Sequence, residues 1–289
     1  MRMRSALVVV LMTLLAAVSV NAQDGHAAHA EHLTVSMMVQ DWAKQKLDKS
    51  PRHQEWVDVK QGSRTVHAFI VYPEVKKKAT AVVVIHEIFG LSDWVRSVAD
   101  QLAAAGYIAI APDLLSGMGP QGGGSSEFTD RSAVTQAVQK LSPDQVTADL
   151  NAVADYVSKL PAANGKVAVA GFCWGGSQTF RFATNRPKLA AAFVFYGTGP
   201  DSADAIARVN APVYGFYGGN DARVTATVPK STDLMKAANK KYDPVTYEGA
   251  GHGFMRSGED PTATDANKAA NQKAHDEAWA RWKSLLSKL

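Results

Sequence analysis

Lys166-Val167-Ala168-Val169-Ala170-Gly171-Phe172-Cys173-Trp174-Gly175-Gly176-Ser177 decides the fold, because it joins a buried-type strand to a helix through one tight turn. Lys166 to Ala170 is apolar and β-rich, Ser177 to Ala183 has helical character, and between them stands G-x-C-x-G. Such a turn leaves no room for side chains two positions before and two after its apex, so glycine belongs at 171 and 175. Cys173 then projects at the N-terminus of the helix, where the dipole favours a thiolate, and the Trp174 N–H is left to donate to an oxyanion. Taken alone the motif also allows a small buried cysteine between two turn glycines.

The sequence on either side builds a sheet around this turn. Ala81 to Ile85 is continuously apolar and β-branched, as a parallel strand covered on both faces must be. Before it, Glu55 to Val59 and Arg64 to Tyr72 read as strands, the second alternating, which predicts an antiparallel start at the N-terminal edge. After it come a helix from Trp94 to Ala105, a strand from Tyr107 to Ala111, and a helix from Pro143 to Leu160 with Ser142 as N-cap. Ala191 to Tyr196, Pro212 to Tyr217 and Asp243 to Tyr247 are further strands, and Ala266 to Leu289 is a closing helix; Met37 to Leu47 is a short helix. Repeated alternation predicts an α/β fold, a mostly parallel central sheet flanked by helices, as one domain over residues 51–289. The glycine-rich stretch Gly117 to Ser126 is either a lid or a surface loop.

Two further motifs fall at strand ends. Gly218-Gly219-Asn220-Asp221 follows the strand ending at Tyr217, and Gly251-His252-Gly253-Phe254 follows the strand ending at Tyr247. Nucleophile, acid and histidine in that chain order are the order of the α/β-hydrolase fold. Together they specify one constellation: Cys173 attacks an acyl carbon, His252 moves protons, and Asp221 fixes the histidine tautomer. Singly, Asp221 is equally an Asx-turn residue and His252 a loop residue. His86-Glu87-Ile88-Phe89-Gly90 ends the first parallel strand, so the Ile88 N–H is placed to complete an oxyanion hole with Trp174. Glu87 then lies beside the thiol, or is a surface carboxylate.

Composition narrows the setting. Arg2 and Arg4 precede an apolar run from Ala6 to Val20 that ends in Val20-Asn21-Ala22. The run is shorter than the roughly 20 residues a bilayer span needs, so residues 1–22 read as an export signal rather than an anchor. The mature protein is then periplasmic or secreted, with residues 23–50 as an N-terminal extension. The formal charge of +4 includes those two arginines and the remaining lysines are scattered, which argues against a nucleic-acid partner. A lone cysteine in an exported chain cannot form an internal disulfide and is a liability unless buried or used. His26, His29 and His32 could touch a metal, but no element fixes their geometry, and we expect no metal there.

The motif set resembles the dienelactone hydrolase family, also called carboxymethylenebutenolidases. The matching pieces are Glu87-Ile88-Phe89-Gly90-Leu91, Ala111-Pro112-Asp113-Leu114, Gly171 to Gly176, Gly219-Asn220-Asp221, Gly251 to Phe254 and Ala278-Trp279-Ala280-Arg281. The resemblance implies hydrolysis of a small-molecule ester or lactone by Cys173, His252 and Asp221, with an oxyanion hole from Ile88 and Trp174 and no cofactor. It also implies that Glu87 pairs with the thiol until substrate releases it, and that Arg256 binds a substrate carboxylate. A second such arginine would follow Pro112-Asp113-Leu114, where this chain has Leu115-Ser116-Gly117-Met118, so the substrate need not be the dienelactone itself. The contrasting reading is a thiol-based redox-sensing or ligand-binding module on the same fold.

Overall fold

The computed structural model describes residues 41–264 and 266–289. The export signal expected at 1–22, the histidines His26, His29 and His32, and the start of the 23–50 extension lie outside the described residues. The end of that extension is a helix, Asp41–Asp48, whose Ala43 and Leu47 are buried against the domain.

The central sheet has eight strands. Gln54–Gln61 (β1) and Arg64–Val71 (β2) form an antiparallel hairpin, and β2 also pairs antiparallel with Ile108–Pro112 (β4). From there every pairing is parallel, through Ala79–Ile85 (β3), Ala163–Phe172 (β5), Ala191–Phe195 (β6), Val213–Gly218 (β7) and Tyr242–Tyr247 (β8). The spatial order is β1-β2-β4-β3-β5-β6-β7-β8. This is the α/β-hydrolase sheet expected from the sequence, with its antiparallel pair at the N-terminal edge.

Strand β3 shows why an unbroken apolar run was needed. Val82 and Val84 face a core with Trp94, Val98, Leu102 and Trp282. Ala81, Val83 and Ile85 face the other, with Leu150, Val153 and Val157. Helices Asp93–Ala104 and Lys268–Leu286 cover the first face, and Pro143–Ser158 covers the second. Aromatic rings fill the first face near the elbow: Phe172 stacks on Phe195 at 4.7 Å and meets Trp94 edge-on at 4.9 Å.

One local feature departs from the sequence reading and two refine it. A helix at Arg131–Gln139 is absent from it, because only Val134 and Val138 form its buried stripe; Asp130 caps it, accepting from the Ala133 N–H at 2.8 Å. Ser142 opens the next helix without a side-chain cap bond, so Pro143 at the first position is the effective start signal. The glycine-rich stretch is an anchored loop. Ser125 donates through its N–H and Oγ to the two oxygens of buried Asp113, at 2.7 and 2.6 Å, and its Oγ accepts from the Leu91 N–H at 2.9 Å.

Candidate functional site

The strand ends converge on Cys173. Its backbone sits at φ 56°, ψ −117°, a strained conformation for a residue with a Cβ. The surrounding chain enforces it: the Cys173 N–H donates to Phe195 O at 3.0 Å, and the Ser177 N–H to Cys173 O at 3.2 Å. A Cβ on Gly171 would lie 2.2 Å from Gly175 O, and one on Gly175 would lie 2.3 Å from His86 O. The elbow therefore closes only with glycine at both places, and it presses the start of helix Trp174–Asn185 against the end of β3.

Two loops bring acid and base together. The Gly219 N–H donates to Tyr247 O at 2.7 Å and the Asn220 N–H to Ala250 O at 2.8 Å, tying the loop after β7 to the loop after β8. Asp221, 6% exposed, then accepts from His252 Nδ1 at 2.5 Å. That bond fixes the tautomer and leaves Nε2 as the nitrogen able to take a proton. The His252 ring meets Tyr196 edge-on at 5.1 Å.

Glu87 and Arg256 form a buried ion pair, Arg256 Nε to Glu87 Oε2 at 2.9 Å, with the side chains 19% and 4% exposed. The sequence reading puts Glu87 on the thiol and Arg256 on a substrate; here the two take each other, and the closeness of Glu87 holds the Arg256 pKa up. Glu87 remains close enough to act on the sulfur. Burial first, and then the Glu87 charge, push the Cys173 thiol up to about 11. The backbone N–H groups of Trp174 and Ile88, and the Arg223 guanidinium, act in the opposite direction. Both N–H groups singled out in the sequence are thus brought to the sulfur.

Tyr196 was missed. It directly follows β6 with φ 40°, is 1% exposed, and is placed among Cys173, His252, Glu87 and Arg256. Burial and the neighbouring Glu87 carboxylate raise its pKa well above the ordinary phenol value. Its position at the carboxyl end of a parallel strand was the available signal, but an aromatic residue there reads equally as core. Phe89 was also missed: its ring meets the guanidiniums of Arg131, at 4.5 Å, and Arg256, at 5.7 Å. No group of three or more His, Cys, Asp or Glu side chains suited to a metal occurs among the described residues.

The family model for the dienelactone hydrolase family matches residues 66–289. The chain belongs to the dienelactone hydrolase family. Among its family relatives, a provisionally named carboxymethylenebutenolidase of Salmonella typhimurium is 36% identical over 184 residues, covering 60% of this chain and 67% of that protein. Another with the same provisional name, from Saccharolobus solfataricus, is 28% identical over 255 residues, covering 78% and 94%. The crystal structure of a provisionally named dienelactone hydrolase from Klebsiella pneumoniae superposes with a TM-score of 0.70 at 27% identity, over 82% of this chain and 99% of that one. The dienelactone hydrolase match begins in β2, so helix Asp41–Asp48 and β1 precede it.

Proposed function

We propose that this member of the dienelactone hydrolase family hydrolyses a carboxylic ester or lactone with Cys173 as nucleophile. The observation that carries the reading is the convergence at the ends of β5, β7 and β8: a strained cysteine under the N–H groups of Ile88 and Trp174, and a histidine held by a buried aspartate at 2.5 Å.

The chemistry runs in two halves. Sγ attacks the acyl carbon while His252 Nε2 takes the thiol proton, and the carbonyl oxygen becomes an oxyanion facing the Ile88 and Trp174 N–H groups. Collapse breaks the bond to the ester oxygen, which leaves with the proton from His252, and a thioester remains on Cys173. Water attacks the thioester as His252 takes its proton; collapse frees the acid and returns the proton to sulfur. Asp221 keeps the imidazole in the required tautomer throughout.

The resting thiol is protonated, so its deprotonation belongs to the catalytic cycle rather than to the free protein. A substrate carboxylate competing for Arg256 would release Glu87 toward the thiol to assist the transfer of its proton to His252, which favours an anionic lactone or ester, the dienelactone among them. A protonated resting thiol also resists oxidation, which suits a protein exported by a signal at residues 1–22 and counts against a redox sensor. No helix among the described residues is long and apolar enough to cross a membrane.

The test is acid-quenched mass spectrometry of the protein mixed with a slowly deacylating activated ester. An acyl group on the Cys173 peptide is expected. Turnover with acylation at another residue, or none, would overturn the mechanism.

A further inference from the structure

His86 is fully buried at the last turn of chain before Glu87, and the catalytic scheme above gives it no part. Its Nδ1 lies 2.7 Å from the Glu87 carbonyl oxygen. That oxygen can only accept, so Nδ1 carries the hydrogen. Burial pushes the imidazole pKa down, which keeps the ring neutral and its Nε2 bare; Nε2 has no partner among the described residues.

The acceptor is what gives the contact meaning. Glu87 C=O and Ile88 N–H belong to one planar peptide unit, so a donor fixed on the oxygen fixes the direction of the N–H at the other end. It also polarises that unit, since hydrogen bonding at a carbonyl strengthens its N–H as a donor. The Gly90 N–H reaches the same oxygen at a longer 3.3 Å, leaving His86 as the closer of the two restraints. The ring further stacks on Trp174, centroids 5.4 Å apart and planes at 15°, so one side chain touches both segments that supply N–H groups to the sulfur. Its own carbonyl oxygen lies against Gly175, where a Cβ would come within 2.3 Å.

We propose that His86 is a positioning residue, aiming and polarising the Ile88 N–H toward the oxyanion; this rests on the ester-hydrolase reading above. His86 never touches substrate. Its donor atom, not its basicity, carries the role, so a side chain offering an N–H at the same place replaces it.

The full chain is compared with His86→Asn, whose Nδ2 can occupy the place of the imidazole Nδ1, and with His86→Phe and His86→Leu, which keep apolar bulk without a donor. Steady-state turnover of p-nitrophenyl acetate is measured beside the rate of Cys173 alkylation by iodoacetamide, which needs the thiol but no oxyanion hole. Expected are a kcat loss of about tenfold or more in the apolar variants with KM within twofold, alkylation slowed far less than kcat because the Ile88 N–H bears only in part on the resting thiol, and His86→Asn within about threefold in kcat. The proposal is overturned if the apolar variants keep kcat within threefold, if His86→Asn is as slow as they are, or if kcat and alkylation fall together. Nitrogen-15 spectra of histidine-labelled wild type need no variant: a His86 protonated at Nε2 instead of Nδ1 overturns it equally. A wild type that turns over no ester overturns the hydrolase reading and this role with it, whereas an active wild type with unaffected variants overturns this role alone.

Discussion

Arg256 donates through Nε to Glu87 at 2.9 Å, and the two charges share a pocket from which water is largely excluded. Breaking such a pair strands one charge without solvent, a cost of about 3–5 kcal/mol. Arg256→Gln is therefore expected to lower stability to urea by that order, and adding Glu87→Gln to recover a substantial part. Strict additivity of the two single changes would show that the pair is not coupled.

After burial, the same carboxylate is the next influence that raises the thiol. With Cys173 raised to about 11, roughly one thiol in ten thousand is ionised at pH 7. Alkylation by iodoacetamide is expected to climb with pH up to about 11, and Glu87→Gln to move the midpoint down, because a negative neighbour disfavours the thiolate. The linked stability has a definite sign. A pKa higher in the folded than in the unfolded chain contributes stability fully present below the unfolded value and lost as pH rises through the folded one. Wild type should then lose stability between about pH 9 and 11 more steeply than Cys173→Ala. An alkylation midpoint near the ordinary thiol value would contradict the burial of the sulfur.

Ser125 joins the loop after β3 to the loop after β4, through Leu91 on one side and Asp113 on the other. Ser125→Ala leaves the buried Leu91 N–H without its acceptor and should cost about 1–3 kcal/mol. Amide exchange at Leu91 is the direct readout: it should quicken in the variant, and an unchanged rate would mean that the loop is held by other contacts.

Asp221→Asn preserves shape while removing the negative charge and putting an NH2 donor in place of one carboxylate oxygen, so that the His252 tautomer is no longer held. A fall in kcat of about three to four orders of magnitude is expected, with the circular dichroism unchanged. A loss under tenfold would remove Asp221 from the reaction.

The sheet was legible because its strands carry contrasting patterns: β3 is continuously apolar from Ala81 to Ile85, whereas β2 starts by alternating, with exposed His67 between buried Val66 and Ala68, although Phe69, Ile70 and Val71 are then all buried. The residues at strand ends were legible because the elbow leaves visible glycines at 171 and 175 and the loops keep Asp221 and His252 in order. What stayed hidden depends on contacts distant in sequence. The partnership of Glu87 with Arg256 spans 169 positions, and Tyr196 gains its meaning only from neighbours on three other segments. Helix Arg131–Gln139 was hidden for a different reason, since two valines make too narrow a stripe to stand out.

The most direct measurement is hydrolysis of a panel of activated esters and cis-dienelactone by the purified full chain, beside Cys173→Ala. Turnover by wild type that falls at least a thousandfold in the variant is the expected result, and lactone turnover would also name the substrate class. A Cys173→Ala protein as active as wild type would contradict cysteine catalysis outright.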